Sequence, residues 1–157
     1  MATEIGQKAP DFSLTDYEGN SKSLADFKGK NVVLAFYPAA FTGVCTKEMC
    51  TFQDSLSQFN NLNAEVIGVS TDKSATNKDF AAKNNVTFPL MSDEARKTIH
   101  NYDIEFENFG TQGNTVAKRS VFVIDTNGDV QYQWIADNPG QEPNYEEVLK
   151  AVEGLKK

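Results

Sequence analysis

Six apolar residues in succession, Val32-Val33-Leu34-Ala35-Phe36-Tyr37, end at Pro38, and a helical period begins soon after at Cys45. A strand with no polar alternation has to be covered on both faces, the pattern of a central strand in a layered α/β protein. Pro38 cannot donate to a ladder and ends the run. From about Thr42 to Leu62, the residues Cys45, Met49, Phe52, Leu56 and Phe59 recur at intervals of 4, 3, 4 and 3, one face of an amphipathic helix. A buried strand feeding such a helix commits the chain to layers of helix on sheet.

The rest of the chain continues the alternation. Asp11 to Thr15 alternates weakly, and Asp16 to Ser23, with Gly19-Asn20, reads as a hairpin turn or loop; Ser23 to Phe27 reads as a short helical turn. AEVIGVS, residues 64 to 70, reads as a strand, and Ser74 to Asn84 as a helix ending at Asn84-Asn85. Thr87 to Met91 reads as a short edge strand, because Pro89 lacks a backbone donor. Ser92 or Asp93 can cap a helix running to about Tyr102, and Glu105 to Lys118, with Gly110 and Gly113, reads as irregular. Ser120 to Asp125 and Asp129 to Ile135 flank Thr126-Asn127-Gly128, a strong hairpin signal. Asn144 to Leu155 closes the chain as a helix. The expected fold is α/β with a mixed central sheet flanked by helices, in one domain spanning 1–157.

Composition removes several function classes. The 15 basic residues against 22 acidic ones leave a net charge of −7, with no basic cluster to meet a phosphate backbone or an anionic lipid surface. No segment approaches the about 20 apolar residues of a membrane span. The start, MATEIGQKAPDF, has neither the basic beginning nor the apolar run of a signal peptide. Two cysteines are too few to staple a secreted fold of this size, so a cytoplasmic protein with reduced thiols is expected.

Those two cysteines are five positions apart, in YPAAFTGVCTKEMC. The spacing matches neither a zinc knuckle nor a C-x-x-C dithiol. Cys45 falls where the buried strand turns into the long helix, and the crevice beyond a strand's carboxyl end is where α/β sheets place chemistry. Free N–H groups of a first helical turn favour the anionic form of a thiol there. By placement alone, Cys45 is equally well an ordinary core cysteine on the apolar face of its helix.

Pro38, Thr42 and Cys45 match the P-x-x-x-T-x-x-C motif, and the chain resembles the peroxiredoxins along nearly its whole length. The resemblance also takes in KAPDFSL, VVLAFYP, TFPLMSD and Arg119 before SVFVID. CTKEMCTFQD resembles the bacterioferritin-comigratory (Q-type) subgroup, with a second cysteine five residues on, while AAFTGVC is similar to the one-cysteine E-type subgroup. The resemblance implies a thioredoxin-like fold and a thiol-dependent peroxidase that reduces hydrogen peroxide and small organic hydroperoxides. It implies no metal or organic cofactor, and electrons from thioredoxin or a similar thiol donor.

The resemblance also assigns roles. Cys45 would be the peroxidatic nucleophile that becomes a sulfenic acid, and Cys50 the resolving thiol. Arg119, Thr42 and the backbone N–H groups of Val44 and Cys45 would hold the peroxide oxygens, and Pro38 would shield the sulfur. Deprotonation by itself accounts for little: bringing a thiol from pKa ~8.5 to ~6 raises thiolate at pH 7 about 30-fold, ~2 kcal/mol. Donors aimed at the charge developing on oxygen have to supply most of the rate.

Each helper has an ordinary reading as well. Thr42 alone is a helix cap, and Arg119 alone is a solvated charge at a strand edge. Glu48 can orient Arg119 through a bidentate pair or be a solvated residue of a first helical turn. His100 is the only histidine, with no second ligand candidate beside it, and reads as a surface helix residue. Phe41, Phe106, Phe109 and Trp134 read as core, with Phe41 and Phe109 as candidates for a homodimer interface in the manner of dimeric family members. Three other functions compete: a thioredoxin-like thiol-disulfide oxidoreductase, a one-cysteine peroxidase with Cys50 idle, and a non-enzymatic chaperone-like protein. The first would need C-x-x-C at the helix start and a proline where Arg119-Ser120 stands.

Overall fold

The computed structural model describes residues 4–40, 43–109, 114–138 and 140–155. The chain opens with a small hairpin, β1 (Ser13–Thr15) and β2 (Ser21–Ser23), followed by a 3₁₀ turn over Leu24–Phe27. The apolar run forms β3 (Asn31–Phe36), buried at every position. Then come α1 (Gly43–Asp54), α2 (Leu56–Asn61), β4 (Ala64–Ser70), α3 (Ser74–Asn84), β5 (Leu90–Ser92) and α4 (Lys97–Asn101). A second hairpin, β6 (Glu105–Phe109) and β7 (Asn114–Ala117), precedes β8 (Ser120–Ile124), β9 (Val130–Ile135) and α5 (Tyr145–Glu153).

Seven strands make one mixed sheet in the order β2-β1-β5-β4-β3-β8-β9, with β6 and β7 paired apart from it. β3, β4 and β5 run parallel, while β8 pairs antiparallel with β3, setting Phe36 opposite Ser120. The period of two sorts β3 between two cores. Val33, Ala35 and Tyr37 join Met49, Phe52 and Phe59 of the first two helices and Val148 and Val152 of α5. Val32, Leu34 and Phe36 face Ile99, Tyr102 and Ile104 on the other side. Among the described residues, no helix is long and apolar enough to cross a membrane.

Four expectations about elements need correcting. The helix expected from Thr42 to Leu62 is two helices, interrupted at Ser55, whose N–H is shared between the carbonyls of Thr51 and Phe52. Phe59 returns to the same core after the break, so the apolar period survives it. The strand expected at Thr87 to Met91 starts later and is interior, with β4 on one side and β1 on the other. Pro89 stands before β5 and needs no donor there, and its carbonyl accepts from Gly68 N–H at 2.9 Å. Neither Ser92 nor Asp93 is the capping residue: α4 begins only at Lys97, behind Arg96, although Asp93 reaches forward to accept from the N–H groups of Thr98 and Ile99. The segment read as irregular contains the β6–β7 hairpin; its register shifts between Phe106 and Phe109, which hides strand alternation from a reading by period.

The other elements fall close to their expected places, with β2 forming at the end of the stretch read as a turn or loop. Gly128 takes the left-handed φ of +87° that the turn between β8 and β9 requires. Asn144 caps α5 by accepting from Glu147 N–H at 3.1 Å. Phe41 and the expected link at Gly110 and Gly113 lie outside the described residues.

Gly68 of β4 stands where the first core leaves no room for a side chain. A Cβ there would stand 2.6 Å from Leu90 Cδ2 and 3.3 Å from both Met49 Sδ and Tyr37 Cε1. Gly68→Ala is therefore expected to destabilise the fold by about 1–3 kcal/mol through overpacking. Urea unfolding measures it, and an unchanged midpoint would show that Leu90 has room to move.

Candidate active site

Three elements meet at the carboxyl end of β3. Helix α1 starts there and puts Cys45 in its first turn, on the inward face with Met49 and Phe52. Glu48 follows three residues later on the same side of the helix. Because β8 runs antiparallel to β3, its first residue lies beside the last residue of β3, and this places Arg119 against the start of α1. Pro38 is buried in the connection between β3 and α1.

Arg119 ties the site together. Its Nη2 donates to Cys45 Sγ at 3.2 Å, and its Nη1 donates to Glu48 Oε1 at 2.7 Å. Cys45 and Glu48 are 0% exposed and Arg119 2%. A guanidinium held between a thiol and a carboxyl, away from water, is the planar fork that arginine provides and lysine does not. Of the two open readings of Glu48, the structure selects the buried partner of Arg119, through one carboxyl oxygen rather than two. Likewise Arg119 is no solvated edge charge.

Burial opposes the charge on Arg119, but Glu48 and Cys45 more than offset it and hold the guanidinium above the usual arginine range. Glu48 behaves differently. Burial pushes its carboxyl up to about 8, against the downward pull of Arg119's charge and hydrogen bond. Its Oε2 is buried with no hydrogen-bond partner among the described residues. Both facts follow from burial, which leaves a neutral carboxyl less costly there than a carboxylate.

Cys50 is a free, half-buried thiol, and Cys45 is free as well. Both sit in the unbroken α1, where five residues mean a rise of about 7.5 Å and an offset of roughly 140°. Disulfide geometry allows Cα atoms no more than about 6.8 Å apart with converging Cβ vectors, so this helix keeps the pair apart. Lys47, between the two thiols, bridges to Glu142 at 3.2 Å. Tyr145 donates to Glu142 at 2.7 Å and packs edge-on against Phe52, so the segment before and at the start of α5 braces α1.

Thr42 lies outside the described residues. His100 is exposed and paired with Glu105 at 2.9 Å, remote from the thiols in the α4 layer. Trp134 packs half-buried against the first core. Among the described residues, no group of His, Cys, Asp or Glu gathers as metal ligands.

Sequence reasoning missed the supports of the connection between β3 and α1. Tyr37 N–H donates to Val69 O at 2.9 Å, and Tyr37 Oη donates to Asn77 Oδ1 at 2.7 Å. Ala40 N–H donates to Asp72 Oδ2 at 2.7 Å. Ser70-Thr71-Asp72 after a strand signals a turn, but nothing local says that its carboxylate reaches Ala40.

Comparison with known proteins agrees with this geometry. The model of the AhpC/TSA family matches residues 5–133. The chain is 42% identical over 151 residues to the chloroplastic peroxiredoxin Q of Oryza sativa subsp. japonica, covering 96% of this chain and 67% of that protein. It is 40% identical over 136 residues to peroxiredoxin Bcp of Bacillus subtilis (strain 168), covering 85% and 86% of the two chains. The crystal structure of peroxidoxin BcpB from Mycobacterium tuberculosis superposes with a TM-score of 0.86 at 29% identity, over 99% of each chain. The layered sheet with the buried thiol at its carboxyl end is thus a thioredoxin-fold scaffold, and the chain belongs to the AhpC/TSA family of peroxiredoxins, as a thiol-dependent peroxidase.

Proposed function

We propose that Cys45 is the peroxidatic residue and that Arg119, with the backbone N–H groups of Val44 and Cys45, stabilises the reacting oxygens. The observation that carries this is the buried guanidinium on Cys45 Sγ at 3.2 Å. The Cys45 thiolate attacks one peroxide oxygen, forming an S–O bond as the O–O bond breaks. Sulfur is oxidised by two electrons to the sulfenic acid, and the leaving oxygen takes a proton to depart as water or an alcohol. Thr42 supplies a further donor on the strength of the motif, and Pro38 keeps water from the sulfur.

Glu48 acts as the positioning partner of Arg119. One cation serves two acids here, and burying two anions against one cation is costly. With the proton on Glu48, the guanidinium charge is not shared between that carboxyl and the thiolate as two anions.

Cys50 then attacks the sulfur of the Cys45 sulfenic acid, an S–S bond forming as water leaves. Helix α1 has to unwind between them first, releasing Lys47 from Glu142. A dithiol donor such as thioredoxin reduces the disulfide and restores both thiols. The alternative is a single-cysteine cycle in which the external thiol meets the sulfenic acid directly.

Cys45→Ser is expected to abolish peroxide consumption, since serine offers no accessible anion at neutral pH. Arg119→Ala should lower kcat/KM by about 10²- to 10³-fold. A loss smaller than about tenfold would remove Arg119 from the reaction.

Glu48 holds its proton up to about 8 in the folded chain against an ordinary 4.5. Between those values the folded state binds more protons than the unfolded one, so the stability tied to this group falls as pH rises. Glu48→Gln abolishes that titration. Urea unfolding at about pH 5 and about pH 8 should show the variant gaining on wild type at the higher pH. A difference independent of pH would mean that Glu48 ionises as an exposed carboxyl does.

Tryptic mapping after one equivalent of peroxide distinguishes the two cycles. Cleavage after Lys47 should leave two peptides still joined through Cys45 and Cys50, two hydrogens lighter than the separate thiols. A lasting sulfenic or sulfinic acid at Cys45, with Cys50 open to alkylation, would establish the single-cysteine cycle instead.

A further inference from the structure

We infer that Asp72 is a positioning residue for the peroxidase reaction, holding the β3–α1 connection in the geometry that aims the first-turn N–H groups of α1. Asp72 lies two residues beyond the end of β4, the parallel neighbour of β3, and 32 positions from Ala40 in sequence. Its Oδ2 accepts from two donors at once, Ala40 N–H at 2.7 Å and Ser70 Oγ at 2.9 Å. Ser70 is fully buried, and its hydroxyl also accepts from Asp72 N–H at 3.2 Å, closing a small ring that fixes where the carboxylate points.

The ring is anchored deeper still. Ser70 Oγ lies 3.3 Å from Asn77 Oδ1, which accepts from Tyr37 Oη at 2.7 Å, and Asn77 Nδ2 donates to Ser92 Oγ at 3.0 Å. Tyr37, Asn77, Ser70 and Ser92 are all buried, so a rigid polar network from β4, α3 and β5 ends on one backbone N–H of the active-site connection.

Ala40 stands three residues before Gly43, the first residue of α1, and five before Cys45. Tying its N–H sets where the chain enters the helix, and so where the N–H groups of Val44 and Cys45 point. Without Asp72 the Ala40 donor is half-buried and unanswered, which favours other loop positions. Small displacements of donors cost large rate factors when the charge they meet exists only in the transition state. The thiol itself is held from the other side, by Arg119 and the apolar face of α1. The same N–H groups also favour the thiolate, but with Arg119 still on the sulfur their displacement costs the peroxide oxygens more than it costs the thiol. This rests on the reading that the first-turn N–H groups meet the substrate.

The test measures two rates on reduced protein: oxidation of Cys45 by hydrogen peroxide, trapped by rapid quench, and alkylation of Cys45 by iodoacetamide, which needs no donor to oxygen. Asp72→Ala should lose about tenfold in the first while the second stays within about twofold of wild type. Asp72→Asn keeps an acceptor for Ala40 and should restore the peroxide rate to within about threefold. Ser70→Ala, which leaves the carboxylate but removes the hydroxyl that aims it, should show the same split with a loss of about threefold, and does so even where Asp72→Ala folds poorly. Unchanged peroxide rates in Asp72→Ala and Ser70→Ala, failure of Asp72→Asn to restore the rate, or a parallel fall in both rates would each overturn the proposal. Cys45→Ser, run alongside, separates the two levels: activity in that variant would discard the peroxidatic assignment, whereas its inactivity beside a fully active Asp72→Ala discards only the role of Asp72.

Discussion

A guanidinium withdrawn from water is the constraint around which this molecule is arranged. Arg119 is 2% exposed, and a charge in that position is tolerated only with partners close enough to replace its hydration. Glu48 and Cys45 are among those partners, one turn apart on α1, so the helix has to present that face to the end of β3. The sheet does its part through one choice of direction. Because β8 returns antiparallel beside β3, the residue before its first bond emerges at the carboxyl end of β3, where α1 begins. A parallel neighbour would bring its opposite end there. The same pairing that completes the sheet therefore delivers the cation to the thiol.

Much of the fold was legible because its signals are local. The unbroken apolar run of β3, the spacing of Cys45, Met49, Phe52 and Phe59, and the Thr126-Asn127-Gly128 turn each declare an element within a few residues. What escaped is what depends on partners far along the chain. Pro89 suggested an edge, but whether β5 is covered depends on β1, which the proline cannot report. The shifted register of β6 and β7 breaks the alternation by which a strand is recognised. Ser55 interrupts the helix without interrupting its apolar face.

The site divides the same way. Motif resemblance brought Pro38, Cys45 and Arg119 together, and the structure places all three at one end of one strand. Whether Glu48 was solvent-facing or a partner stayed open, since nothing in its local sequence decides between the two. Its partner lies 71 positions away and decides the matter. Asp72 gave no sign at all, because a carboxylate after a strand is an ordinary turn residue until Ala40 is folded against it.

Helix α1 holds Cys45, Glu48 and Cys50 in one stretch, with Arg119 against two of the three. In the proposed cycle, unwinding that stretch to join the thiols also draws Glu48 off the guanidinium. The oxidised protein then keeps a cation that has lost its carboxyl and its sulfur together. Such a state is higher in energy than the reduced one by whatever that separation costs, and the difference appears as a more oxidising disulfide. On that cycle Arg119 would work as a return spring: the affinity that orders the helix around the thiol would also make a Cys45–Cys50 bond ready to accept electrons from the next donor.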